Sequence, residues 1–353
     1  MADRGRMVAL VREQADACAL LGSPFYEYLL QRLADDIEAG GPAYDVLRGH
    51  EDDPGPSALA LRLMGGVHRL VLERRAPALA LTFPSVGGSG DPNAAWTALR
   101  PVLSEFAEEL RVGLAQPPQT NEVGRSAALI GGLLHLTADH DRPLRLVEIG
   151  ASAGLNLRAD LFRVELADGR SVGPATSPVV LRDPWRGPLP PLRARLEVVE
   201  RLGCDVAPLD PTTPQGRLLL TSYVWPDQLS RLERLRGALE LARDVPATVV
   251  AAGAGDFLDG LELRDGSTTV VWHSVMWQYL DPAERARAEA AIERLGARSS
   301  GTARFAHLAM EARRRTPGAD HELLVTLRTW PGGTEQVLGR AKAHGLPTTW
   351  EIP

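Results

Sequence analysis

Arg145-Leu-Val-Glu-Ile-Gly-Ala-Ser-Ala-Gly-Leu-Asn-Leu157 is the stretch that decides the fold. An apolar run ends at Ile149. The small residues Gly150 to Gly154 then turn the chain, and a helix is expected to start after them. Small residues let the backbone bend sharply and come close to a ligand. A helix start adds unbonded N–H groups and a positive dipole end. In an open α/β sheet, ligands bind beyond the carboxyl ends of the strands, where such a turn lies.

Downstream, short apolar runs alternate with helical periodicity. Strands are expected at 144–149, 198–204, 248–252, 269–273, 304–310, 323–330 and 348–352, with helices at 226–243, 282–295 and 334–344. Such alternation predicts a mostly parallel α/β sheet of these seven strands, covered on both faces. The interval 161–195 carries six prolines and reads as an insertion of loops. Upstream, 8–21, 25–37, 57–75, 94–114 and 122–138 have helical spacing, while 83–93 is a Gly, Ser and Pro-rich loop. Residues 1–140 therefore form an all-helical N-terminal domain, placed on the lid or substrate side, and 141–353 the sheet domain.

The 353 residues carry a net charge of −6, which argues against general nucleic-acid binding, since that usually needs a basic face. Cys18 and Cys204 lie far apart without CxxC or clustered histidines, so neither a disulfide framework nor a metal site is expected. No apolar run reaches the ~20 residues of a membrane span. The first residues enter an amphipathic pattern with no signal-peptide core, so the expected location is cytoplasmic.

Glu148-x-Gly150-x-Ser152-x-Gly154 resembles the first motif of class I S-adenosylmethionine (SAM) methyltransferases, with Ser152 at the middle glycine position. The resemblance implies a seven-stranded, Rossmann-like sheet whose last strand inserts antiparallel, and it implies that Glu148, Gly150, Ser152, Gly154 and Asn156 belong to the cofactor loop. It also implies that Asp205, with Asp210 behind it, meets the ribose, and that Asp256 and Phe257 meet the adenine. A fourth strand ending Trp272-His273-Ser274-Val-Met-Trp277-Gln-Tyr279 would face the acceptor. The Asn/Asp-Pro-Pro-Tyr signature of many amino-methylating enzymes is absent, so the acceptor atom stays open.

Asn121, Glu122 and Arg125 begin the helix leading into the first strand and are placed to hold the cofactor or substrate. A cap and an ion pair on a solvated face are the structural alternative. His273, Glu122 and Tyr279 are the candidate catalytic groups, since an imidazole titrates near neutrality. Asn121, Arg125, Trp225 and Trp277 are candidate substrate contacts.

Thr120-Asn-Glu-Val-Gly-Arg-Ser126, the Gly150 motif, Val224-Trp-Pro-Asp-Gln228 and Trp272-His-Ser-Val-Met-Trp-Gln-Tyr-Leu280 together resemble an uncharacterised bacterial family, domain of unknown function 2332. That resemblance implies no activity. The leading expectation is a SAM-dependent methyltransferase with a small-molecule substrate, with a homodimer admitted. A non-catalytic SAM-binding protein is one alternative. A serine hydrolase is another, because Gly-Ala-Ser152-Ala-Gly matches Gly-x-Ser-x-Gly, with Asp256 and His307 or His321 as partners. An NAD(P) oxidoreductase is disfavoured by the loop spacing.

Overall fold

Leu144–Ile149 is buried along its whole length and forms β1, as its run of apolar residues requires of a strand covered on both faces. The computed structural model describes residues 4–115, 118–138 and 141–352. The chain divides into two compact units, 1–120 with 214–233, and 121–213 with 234–353. The helix before β1 thus falls with the sheet, and a later segment falls with the helical unit. The boundary expected at residue 140 lies outside the described residues.

The first unit contains α1 (Arg4–Leu20), α2 (Pro24–Glu38), α3 (Pro42–Leu47), α4 (Leu59–Leu72), α5 (Pro77–Ala80), α6 (Pro92–Glu105) and α7 (Ala107–Gly113). Its core holds Leu29, Leu33 and Ile37 of α2, whose spacing is that of one helix face. Ser23 caps α2 by accepting from Tyr26 N. The hydroxyl of Ser23 also donates to Asp227 Oδ1 at 2.6 Å, and Phe25 N donates to Asp227 Oδ2 at 3.2 Å. Gln228 Nε2 donates to Leu21 O at 2.7 Å. Asp227 and Gln228 therefore lock the α1–α2 turn.

In the second unit, α8 (Ser126–Leu136) precedes β1. The Pro-rich segment supplies β2 (Arg163–Glu165), β3 (Ser171–Val172), β4 (Val180–Arg182) and β5 (Trp185–Arg186). Then come β6 (Val198–Asp205), α9 (Pro214–Ser222, in the first unit), α10 (Leu229–Asp244, in the first unit as far as Glu233), β7 (Thr248–Ala251), α11 (Ala254–Asp259), β8 (Thr268–Ser274) and α12 (Pro282–Arg298). The strands β9 (Arg304–Arg314), β10 (His321–Trp330), β11 (Glu335–Ala341) and β12 (Thr348–Trp350) follow.

The main sheet has nine strands in the order β5-β12-β11-β10-β9-β8-β1-β6-β7. Five of them, β7-β6-β1-β8-β9, are mutually parallel. Successive connections leave β1 first toward β6 and β7, then return to its other side for β8 and β9.

The sheet departs from the expected seven strands in three ways. The region 334–344, expected to be helical, is β11, antiparallel to β10. Gly339 decides this. A Cβ there would stand 2.2 Å from Thr349 O, so the close strand approach needs glycine, which is also a poor helix former. The last strands form an antiparallel meander instead of one inserted strand. The insertion at 161–195 builds a small sheet, β3-β2-β4, and lends β5 to the edge beside β12.

Close approach recurs where α8 covers the sheet. A Cβ on Gly131 would lie 1.9 Å from Trp350 Cζ2, and Trp350 is buried. Gly131→Ala is expected to cost about 1–3 kcal/mol through overpacking, read from urea unfolding.

Candidate functional site at the carboxyl end of the parallel strands

The turn after β1 is held by left-handed backbone at Gly150 (φ +67°), Ser152 (+53°) and Gly154 (+65°). Glycine is required at two of these positions by space as well as by φ. A Cβ on Gly150 would meet Met276 Cβ at 2.9 Å, and one on Gly154 would meet Val249 Cγ2 at 2.7 Å. Met276 follows β8 and Val249 lies in β7, so the turn is wedged between strands on both sides of β1.

The amides of this turn are consumed within the unit. Ala151 N donates to Cys204 O and Gly154 N to Ala151 O. Ser152 N donates to Asp205 Oδ2 at 2.9 Å. Ala153 N and Leu155 N both donate to Asn121 Oδ1, at 3.2 and 3.0 Å. Asn121 thus caps the turn from a segment more than thirty residues upstream. Asp205 also accepts from Ala207 N on its other oxygen, at 3.0 Å.

The expected helix after the turn is a 3-10 segment, Leu155–Leu161, with non-helical dihedrals at Arg158. The cause is local. Gly154 O accepts from Arg158 Nη1 at 2.8 Å and from Leu157 N at 3.2 Å, so its carbonyl is used by a tighter turn. Arg158 Nε donates to Val245 O at 2.6 Å.

Beneath the turn, Glu148 is 3% exposed and its Oε2 makes no hydrogen bond. Burial pushes its carboxyl up to about 8, and the Asp205 charge adds to the rise. Trp272, Arg125 and Arg158 oppose it. Trp272 is its cross-strand neighbour on β8. The indole stands close enough to favour the ionised carboxylate, although its Nε1 makes no hydrogen bond of normal geometry.

Glu122 is buried, and its Oε1 accepts from Gly124 N at 2.9 Å. Its carbonyl accepts from Asn156 Nδ2 at 3.2 Å, while Asn156 Oδ1 is another buried oxygen without a hydrogen bond. Arg125 reaches Ser274 O at 3.3 Å and Ala343 O at 3.1 Å, so it ties the pre-α8 turn to the end of β8.

A second polar group sits at the end of β8. His273 is 1% exposed, with Nδ1 2.8 Å from Glu311 Oε1 and Nε2 2.9 Å from His307 Nε2. The ring of Trp277 stacks on His273 at 4.6 Å. Glu311 Oε1 further accepts from Met276 N at 3.1 Å and Trp277 N at 3.3 Å. Burial, with the charge of His273 next, holds His307 well below the ordinary histidine range. With Glu311 Oε1 as the acceptor, His273 Nδ1–H donates, and the two facing Nε2 atoms are joined by one hydrogen. The arrangement is a carboxylate–imidazole–imidazole relay.

The remaining predicted residues have the following surroundings. Asp256 begins α11, is exposed, and pairs with Arg287. Phe257 packs against the core beneath α11 and α12. Tyr279 is 55% exposed on a 3-10 turn. Trp225 is 5% exposed in the core of the first unit, tilted over Tyr26 and covered by Arg231. For the Ser152 hydrolase alternative, His307 is engaged with His273, Asp256 with Arg287, and His321 is exposed. Asp210 is tied to Thr212.

Sequence reasoning did not select Glu311 or Arg158. A signal for Glu311 existed. His307 and Glu311 share one strand face within the otherwise apolar run 305–312, where buried polar groups need partners. Both cysteines are buried, and burial pushes each thiol up to about 12. Among the described residues, no group of three or more His, Cys, Asp or Glu could hold a metal ion. Among them too, no helix is long and apolar enough to cross a membrane.

Comparison with protein families places residues 8–350 under the model of an uncharacterized protein conserved in bacteria (DUF2332), and the chain belongs to that family. No curated protein matches it.

Proposed function

We propose that this DUF2332 member is a SAM-dependent methyltransferase acting on a small-molecule acceptor. The cofactor would lie at the carboxyl end of β1. The observation that carries the reading is the buried Glu148 Oε2, without a hydrogen bond, beneath a glycine turn whose amides are already used. A dinucleotide is held mainly by N–H groups on its phosphates. Here the five amides from Ala151 to Leu155 serve the protein itself. A bound cation would favour the ionised form of Glu148, and SAM carries a sulfonium and an ammonium.

The parallel order β7-β6-β1-β8-β9, which switches direction at β1, supports a Rossmann-like core with its crevice at that point. When bound, SAM supplies an electrophilic methyl group. The residues of the chain would align the acceptor within about 3 Å of it. Where the acceptor must lose a proton, the His273–Glu311–His307 relay would take it. Glu122 and Tyr279 are the other candidates for that role. Asn121, Arg125 and Trp277 line the acceptor side, Asn121 by fixing the turn.

A thermal-shift series separates the ligand classes. SAM and S-adenosylhomocysteine at 1,000 times their Kd are expected to add about 4 kcal/mol and raise Tm, with NAD and ATP inert. A rise with NAD alone would overturn the proposal.

A further inference from the structure

We propose that Ser85 and His68, in the helical unit, form a nucleophile–base dyad for acyl transfer from carboxylic esters with an apolar acyl chain. His68 lies on α4 and is fully buried. Its Nδ1 is 3.1 Å from Ser222 O, and its Nε2 is 2.8 Å from Ser85 Oγ. A carbonyl only accepts, so Nδ1 must carry the proton. The neutral ring then presents a lone pair at Nε2, and the Ser85 hydroxyl must donate to it. Nucleophile, base and orienting group stand in the order that activated serines require, with a backbone carbonyl in place of a carboxylate.

The surroundings fix this geometry. Gly65 lets Tyr223 approach α4, since a Cβ there would lie 2.6 Å from Tyr223 Cε1, and this brings the neighbouring Ser222 carbonyl to His68. Phe83 packs on the imidazole at 5.6 Å and on Phe25 at 5.4 Å. Burial also pushes His68 down to about 4, so the ring is neutral at physiological pH.

The loop bearing Ser85 is closed by Ser89 N donating to Leu81 O and Gly90 N to Thr82 O. Ser85 itself is half-buried, and the same loop exposes two large apolar side chains, Leu81 at 74% and Val86 at 43%. Exposed apolar groups on the loop that carries the polarised hydroxyl suit an acyl chain.

In the reaction, Ser85 Oγ attacks the ester carbonyl carbon and its proton passes to His68 Nε2. The C–O bond to the alcohol breaks, and Nε2–H protonates the departing oxygen. Water then attacks the acyl-serine and gives a proton to Nε2. The bond to Ser85 Oγ breaks and that proton returns to it, so that ester plus water yields acid plus alcohol.

The test treats the full chain with a fluorophosphonate probe and maps the adduct by peptide mass spectrometry. A label on Ser85 is expected. It should be lost in Ser85→Ala and retained in Ser89→Ala, with hydrolysis of p-nitrophenyl butyrate falling about 100-fold or more in Ser85→Ala. No adduct on Ser85 under conditions that label a control serine hydrolase would overturn the proposal. So would an adduct on Ser152 alone. The wild-type map decides even if Ser85→Ala fails to fold, and its outcome is independent of SAM binding.

Discussion

Glu311→Leu is expected to destabilise the protein by about 3–5 kcal/mol, because it removes a buried acceptor and leaves its donors stranded. One carboxylate oxygen accepts from His273 Nδ1, Met276 N and Trp277 N. Leucine fills much of the volume and accepts none of these. Glu311→Gln keeps an acceptor oxygen in place, so its expected cost is only about 1 kcal/mol. Urea unfolding of the three proteins gives the comparison. Nitrogen-15 spectra of the histidines add a readout that packing alone would not move. The wild type should show His273 protonated at Nδ1, and Glu311→Leu should release that preference. Equal stability of the leucine variant would show that the relay is not formed.

Glu148 carries the second large effect, through pH. Its folded-state carboxyl is raised from the usual 4.5 to about 8. Below pH 4.5 both folded and unfolded chains hold the proton, and the group contributes no pH dependence. Between 4.5 and 8 the unfolded chain ionises while the folded one resists. Stability from this group therefore falls by about 1.4 kcal/mol per pH unit, then levels above 8. Glu148→Gln keeps the shape and cannot ionise. It is expected to match the wild type near pH 4.5 and to exceed it by about 2–5 kcal/mol at pH 8 in urea unfolding. Parallel pH profiles for the two proteins would contradict this assignment.

The parts of the fold legible in the sequence are those set by local pattern. β1, β6, β7, β8 and β9 each announce themselves by an apolar run followed by a polar or small residue, and their alternation with helices implies parallel pairing. β11 was hidden because its pairing partner, and not its own composition, decides its state. Glu335 to Ala341 contains good helix formers, yet hydrogen bonding to β10 and the backbone approach at Gly339 override them. The edge strand β5 was equally hidden, since two residues between prolines carry no periodicity.

The candidate site divides in the same way. Glu148, Gly150 and Gly154 follow from the strand and turn. Asn121 stands out by its place before α8, and the structure gives it a role that spacing alone does not contain, capping Ala153 and Leu155. Trp225 and Asp227 stand out in the sequence for reasons that prove architectural. They pack the helical core and hold the α1–α2 turn. Glu311 lies 38 residues beyond His273, so only the parallel pairing of β8 with β9 brings them together.

Amide hydrogen exchange of the intact protein, with and without saturating S-adenosylhomocysteine, tests the location of the cofactor most directly. The account predicts slowed exchange at the turn from Gly150 to Asn156 and at Asp205 to Ala207. Unchanged exchange throughout those segments, at ligand concentrations of several millimolar, would contradict it.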